Sequence, residues 1–132
     1  MLRYMLDTDI CIYLSHEYPS KLLQKFNRFA EQICISTIGL AELYFGVEKS
    51  TRRVDNLRAL EHFVGRLQVL PFSDKAAAHY GQIRFDLQKA GRLIGAHDML
   101  IGAHARAEGL VLVTNNEREL RRVPGLLIEN WS

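Results

Sequence analysis

The 132-residue chain has no run of about 18 consecutive apolar residues, so the sequence predicts no membrane-spanning helix. It shows no internal repeat, no low-complexity tract and no linker, which argues against arrays and multi-domain layouts. Its length is that of one ordinary domain, and a single domain over 1–132 is expected. The start, Met1-Leu2-Arg3-Tyr4-Met5-Leu6-Asp7, meets a carboxylate too early for the apolar core of a signal peptide. Cysteine is scarce. Cys11 and Cys34 both lie inside apolar runs and form no metal-binding spacing. A disulfide scaffold is thereby excluded, and two reduced core cysteines in a cytoplasmic protein are expected. Charge of either sign is not in strong excess. A net charge of +2 does not by itself demand a nucleic-acid partner. The distribution says more, because basic residues gather at Lys49, Arg52 and Arg53 and again at Arg118, Arg121 and Arg122.

What the chain does contain is an alternation of short apolar runs and helical periodicities. Arg3–Leu6 begins an apolar run, and Ile10–Leu14 reads as a short helix. Pro19-Ser20 opens a helix to about Gln32, with Leu22, Leu23, Phe26 and Phe29 at helical spacing. Ile33–Ser36 is a strand, and Thr37 is placed to cap the helix that follows. Val54, Leu57, Leu60, Phe63, Val64 and Leu67 predict a helical hairpin. Gln68–Phe72 is a third strand, with Pro71 at its end. Ser73 caps a long helix closed by Gly91, and Ala96–Glu108 is a further helix closed by Gly109. Leu110–Val113 has no polar alternation, the mark of a parallel strand covered on both faces. A short helix at Glu117–Arg122 and a strand near Leu127-Ile128 end the pattern. Phe26, Phe29, Phe63 and Phe85 share helical spacings with aliphatics and are expected in the core, whereas Tyr13 and Tyr44 are candidates for stacking on a base. The fold class is α/β, with helices on both sides of a central parallel sheet of four to five strands.

In such sheets the functional site lies beyond the C-terminal strand ends. The acids fall there. Asp7 and Asp9 follow the first strand, and their i, i+2 spacing puts both on one side if the chain stays extended. Glu42 lies early in the helix after the second strand. It sits in the apolar stretch Leu40-Ala41-Glu42-Leu43-Tyr44-Phe45, where a charge needs a partner. Asp98 opens the helix leading into the fourth strand, and Thr114, Asn116 and Glu119 follow that strand. Taken singly, each acid could be a helix cap or a dipole complement. Taken together, crowded carboxylates raise one another's pKa, and a divalent cation removes the conflict. An all-oxygen donor set suits Mg²⁺ or Mn²⁺, not zinc. Such a metal with open water positions is the arrangement used for in-line attack on phosphodiesters.

The same residues carry a family resemblance. Met5-Leu6-Asp7-Thr8-Asp9-Ile10-Cys11-Ile12-Tyr13 resembles the opening of PIN domains. Ile35-Ser36 with Leu40-Ala41-Glu42-Leu43 is similar to their second motif, Gly95–Ala105 to their third, and Val113–Leu120 to their fourth. The end, from Val123-Pro124-Gly125-Leu126 to Asn130-Trp131-Ser132, resembles the C-terminus of bacterial VapC toxins. The resemblance implies a three-layer α/β/α PIN domain, usually dimeric. It implies a Mg²⁺- or Mn²⁺-dependent endoribonuclease toxin of a toxin–antitoxin pair, cleaving RNA such as a tRNA anticodon loop. It further implies neutralisation by a cognate VapB-type antitoxin, in a higher assembly with it. The family's metal-site and catalytic positions carry over to Asp7, Glu42, Asp98 and Glu119, with Thr8, Asp9, Thr114 and Asn116 in support. Position 9 is commonly Asn in close relatives and position 116 often Asp in the wider family; here they are Asp and Asn.

RNA must approach an acidic pocket, so basic residues around it are expected. Lys49, Arg52, Arg53, Arg92, Arg118, Arg121 and Arg122 are the candidates. The helices at Ile10–Leu14 and Pro19–Gln32, with the hairpin at Val54–Leu67, are expected to form an apolar groove for an antitoxin segment. A basic residue of that segment would reach the carboxylates. His97 beside Asp98 is expected to be structural or exposed, not catalytic. Two rivals remain weaker. Asp7-Thr8-Asp9 imitates the motif of haloacid-dehalogenase-like phosphotransferases, but no Lys follows Lys89. A receiver-like or inactive binding module is disfavoured by the intact acids.

Overall fold

The structure, a computed structural model, describes residues 1–15 and 20–131. Five strands form one sheet: β1 (Tyr4–Leu6), β2 (Ile33–Ser36), β3 (Gln68–Leu70), β4 (Val111–Val113) and β5 (Ile128–Glu129). The helices are α1 (Thr8–Ser15), α2 (Ser20–Arg28), α3 (Thr37–Glu48), α4 (Arg53–Val64), α5 (Asp74–Lys89), α6 (Ala96–Ala107) and α7 (Glu117–Leu120), with a 3-10 turn at Ala30–Gln32. The strand order is β3-β2-β1-β4-β5, and every neighbouring pair is parallel.

Successive strand residues face opposite sides, and both sides are covered. Tyr4, Leu6, Ile33, Ile35 and Val113 join one core with Leu22, Phe26, Phe63 and Trp131. Met5, Cys34 and Leu112 join the other with Ile83, Met99, Ile101 and Ala103. The α/β/α layering read from the uninterrupted apolar strands is therefore present. Cys11 and Cys34 are free and buried. Burial raises the Cys34 thiol to about 12 and pushes the Cys11 thiol up as well, so neither is an exposed reactive thiolate. Among the described residues no helix is long and apolar enough to cross a membrane.

Four local expectations change. Ser36, not Thr37, caps α3: its Oγ accepts from the Ile38 N–H at 3.0 Å, while Thr37 Oγ1 accepts from the Phe72 N–H. The segment Val54–Leu67 forms one helix, α4, plus a turn, not a hairpin; Leu60 and Phe63 are buried, with Leu57 and Val64 packed beside them. Val54, in the first turn off this stripe, is 60% exposed. On α5 the inward row is Ala76, Tyr80, Ile83 and Leu87, which leaves Phe85 on the opposite face and 65% exposed. The helix from Ser20 stops at Arg28, and Pro19 and the Tyr13 side chain lie outside what is described.

Candidate active site

The acids meet at the C-terminal edge of β1 and β4. Asp7 is the junction between β1 and α1: its N–H bonds Val113 O at 2.9 Å, and its carbonyl accepts the Cys11 N–H at 3.2 Å. Its side chain is buried. One carboxylate oxygen accepts from the Thr8 N–H and the other from the Thr114 hydroxyl, both at 2.8 Å. Helix α1 begins at Thr8, so the chain between Asp7 and Asp9 is not extended as the i, i+2 argument assumed. Asp9 still belongs to the cluster. It accepts backbone N–H groups of Ile10 and Asn115, and burial, then the charge of Asp7, raises its pKa.

Asp98, in the first turn of α6, and Glu119, in α7, share one donor. The Asn116 amide nitrogen donates to Asp98 Oδ2 at 3.0 Å and to Glu119 Oε2 at 3.3 Å. Asn116 is itself held by its N–H to Thr114 Oγ1 at 2.9 Å. Thr114 thus ties Asp7 to the Asp98–Glu119 pair. Burial raises the Asp98 carboxyl to about 6, reinforced by the charge of Asp7 and by Glu119.

Glu42 is set differently. Tyr44 and Phe45 beside it are 43% and 60% exposed, so its surroundings are not the buried stretch the sequence implied. Helix α3 is apolar on much of its outer face as well as its inner one. The partner of Glu42 is His97, whose Nδ1 lies 3.7 Å from Glu42 Oε1 and whose Nε2 lies 3.0 Å from Thr8 Oγ1. This bridge was invisible in the sequence; the only local signal was a histidine next to Asp98.

Among the described residues no Lys or Arg pairs with Asp7, Glu42, Asp98 or Glu119. No three His, Cys, Asp or Glu side chains there are drawn into a finished metal cage. The residues nonetheless fit a hard divalent cation. The donors are all carboxylate oxygens, burial and then the neighbouring acids raise the Asp98 carboxyl, and among the described residues no Lys or Arg balances the charge. Mg²⁺ favours one or two carboxylates and several waters over a closed protein cage.

Beside the acids lies a cavity of about 290 Å³, lined by Cys11, Ile12, Leu43, Val47 and Leu60 and reaching Glu42. It is the expected apolar groove, but its walls are α1, α3 and α4; α3 stands where α2 was expected. Most basic candidates are committed. Arg52 pairs with Asp55, Arg53 with Glu48 and Arg121 with Glu117. Arg122 donates to Leu93 O, and Lys49 sits over the Phe45 ring. Among the described residues the Arg92 and Arg118 side chains have no such partner.

Residues 4–126 match the PIN domain family, and the chain belongs to that family. Similar proteins place it among the VapC ribonucleases. It is 50% identical over 131 residues to ribonuclease VapC2 of Haemophilus influenzae, covering 99% of each chain. It is 46% identical over 132 residues to the tRNA(fMet)-specific endonuclease VapC of Shigella flexneri, covering all of both. It superposes on VapC in DNA-bound VapBC from Salmonella typhimurium with a TM-score of 0.97 and 45% identity, covering 100% of both chains. For VapBC2 of Rickettsia felis, bound to a fragment of its promoter, the TM-score is 0.94 at 41% identity, covering 99% and 100%. The fold, the four motifs and these relatives make the chain a ribonuclease of the toxin–antitoxin class.

Proposed function

We propose that the chain is a single-domain endoribonuclease toxin that cuts a tRNA in its anticodon loop, the initiator tRNA being the first candidate. The observation that carries the reading is the convergence of Asp7, Asp98 and Glu119 on one Thr114–Asn116 link, with Glu42 facing them through His97. In this reading Asp7, Asp98, Glu42 and Glu119 hold Mg²⁺ or Mn²⁺, and Thr8, Asp9, Thr114 and Asn116 orient them. When bound, the metal supplies an activated water and polarises the scissile phosphate. The protein's own contribution is to place the acids, keep Asp7 dry and present the phosphate at the strand ends. Arg92 and Arg118, uncommitted within the chain, are the foremost RNA contacts; Lys49, Arg52, Arg53, Arg121 and Arg122 would first have to leave their present partners. The initiator-tRNA assignment leans on the Shigella flexneri relative.

The apolar groove is assigned to a VapB-type antitoxin, whose aliphatic or aromatic anchors fill it while an Arg or Lys reaches Glu42. The toxin acts in the cytoplasm as a homodimer, and a larger assembly forms with the antitoxin. The deciding experiment incubates purified toxin with a full set of tRNAs, with Mg²⁺ or with EDTA, and sequences the cut ends. Cuts confined to an anticodon loop and lost with EDTA support the reading. Cleavage that persists in EDTA, or in Asp98→Asn, overturns the site. A toxin–antitoxin complex that binds Mg²⁺ as free toxin does, yet stays inactive, overturns charge replacement by the antitoxin.

A further inference from the structure

Three of the four acids are fixed by short bonds. Asp7 is held by Thr8 and Thr114, and Asp98 and Glu119 by Asn116. Glu42 has none of this. Its side chain is 51% exposed, and among the described residues its one polar partner is the ring of His97. A half-exposed Glu on a helix has several rotamers open to it, and most point into water.

The His97 ring stands where it can select among them. It lies where three elements come together: Thr8 opens α1, His97 belongs to α6 and Glu42 to α3. The backbone of α3 presses close at the same point, since a Cβ on Gly39 would lie 3.5 Å from Thr8 Oγ1. A neutral imidazole has one donor and one acceptor. Both are used if Thr8 Oγ1–H donates to Nε2 at 3.0 Å and Nδ1–H faces Glu42 Oε1 at 3.7 Å. Thr8 in turn gives its N–H to Asp7. Hydrogen bonds run from Asp7 through Thr8 to His97, and a 3.7 Å approach of Nδ1 to Oε1 carries the line on to Glu42.

We propose that His97 is a positioning residue: anchored by Thr8, it turns Glu42 towards the other acids and so completes the metal site from the α3 side. The inference rests on the metal-site reading above. It assigns His97 no proton transfer. Partners that orient a ligand in this way govern metal affinity by about ten- to a hundredfold.

The test is Mn²⁺ binding to metal-free protein by calorimetry, beside thermal unfolding to check the fold. His97→Ala is expected to weaken Mn²⁺ binding about tenfold. His97→Gln, whose amide can accept from Thr8 and donate to Glu42, should recover most of that loss. In a Glu42→Gln background His97→Ala should change affinity less than about twofold, because the two act as a unit. Thr8→Val, which frees the ring, should lower affinity in the same direction. Should His97→Ala fail to fold, His97→Gln and Thr8→Val carry the comparison. Unchanged Mn²⁺ affinity in His97→Ala overturns the proposal, and so does an equal loss with and without Glu42. If Glu42→Gln weakens Mn²⁺ binding and His97→Ala does not, only this inference fails. If the wild-type protein binds no Mn²⁺, the metal-site reading fails with it.

Discussion

The two faces of the sheet are built from different materials. On one face Tyr4, Phe26, Phe29, Phe63 and Trp131 form a layer of rings, with Tyr4 and Trp131 edge-on at 4.9 Å and Phe26 stacked on Phe63 at 5.7 Å. On the other, α6 presents Ala103, Ala105 and Ala107, and α5 and α6 lie tightly side by side. The 290 Å³ groove opens on the same side of the sheet as the rings, between α1, α3 and α4, and is lined by Cys11, Leu43, Val47 and Leu60. Small residues let backbones approach and leave nothing to fill. Asp98 rides on the closed face and Glu42 on the helix that walls the groove. The site therefore joins one rigidly seated acid to one seated beside an apolar groove.

Breaking the rigid half should cost most. Asp98→Asn is expected to lower RNA cleavage about a thousandfold, or about 4 kcal/mol of transition-state stabilisation, with its melting temperature unchanged or raised. Glu42→Gln should fold as well and lose less. If the ranking reverses, the contrast between the two halves is wrong. In the aromatic layer Phe26→Ala should destabilise the fold by about 3–5 kcal/mol, read from urea unfolding. Overfilling the closed face is the converse test. A Cβ on Gly102 would lie 3.4 Å from Leu126, 3.5 Å from Leu120 and 3.7 Å from Val123, so Gly102→Val should cost about 1–3 kcal/mol.

A pH series probes the same closed face. His104 is fully buried, its Nδ1 2.7 Å from Ser36 Oγ, and its Nε2 has no partner among the described residues. Burial lowers its pKa from 6.5, partly offset by Glu108. Below pH 6.5 the unfolded chain therefore binds the proton more readily than the folded one, and stability falls as pH drops towards the folded pKa. The stability gap between wild type and His104→Gln, measured in urea, should be wider at about pH 7.5 than at about pH 5.5. A gap that widens on acidification contradicts the neutral buried imidazole. The smallest effect belongs to Phe85→Ala, which should stay within about 0.5 kcal/mol because that ring faces solvent.

These contrasts mark where the sequence was readable. Strands buried on both faces carry no polar alternation, so their number and direction followed from short runs such as Leu110–Val113. Ser73, Gly91 and Gly109 announced helix ends because capping and positive φ are local demands; Gly91 has φ 68 and Gly109 φ 67. The acids were legible because the strand-end rule converts topology into position. Features needing three elements at once were not. The Thr8–His97–Glu42 bridge spans α1, α6 and α3, and no spacing within one helix encodes it. The exposure of Phe85 and Val54 was missed because an apolar residue one step off the inward row still looks periodic. The groove wall was assigned to α2 because its amphipathic pattern is strong, whereas α3, apolar on nearly all sides, gives no direction.

β1 lies at the centre of the sheet, with β2 on one side and β4 on the other. The hydrogen bond that fixes Asp7 comes from a residue 107 positions later in the chain. During synthesis the amino-terminal strand must wait for the last quarter of the polypeptide before its second neighbour exists. Long-range pairing of this kind is slow to form, because the entropy of closing so large a loop comes before any reward. A nascent or truncated chain ending before β4 has half a sheet edge and an Asp7 without its Thr114. The geometry of the acids is thus completed only by residues from the far end of the chain.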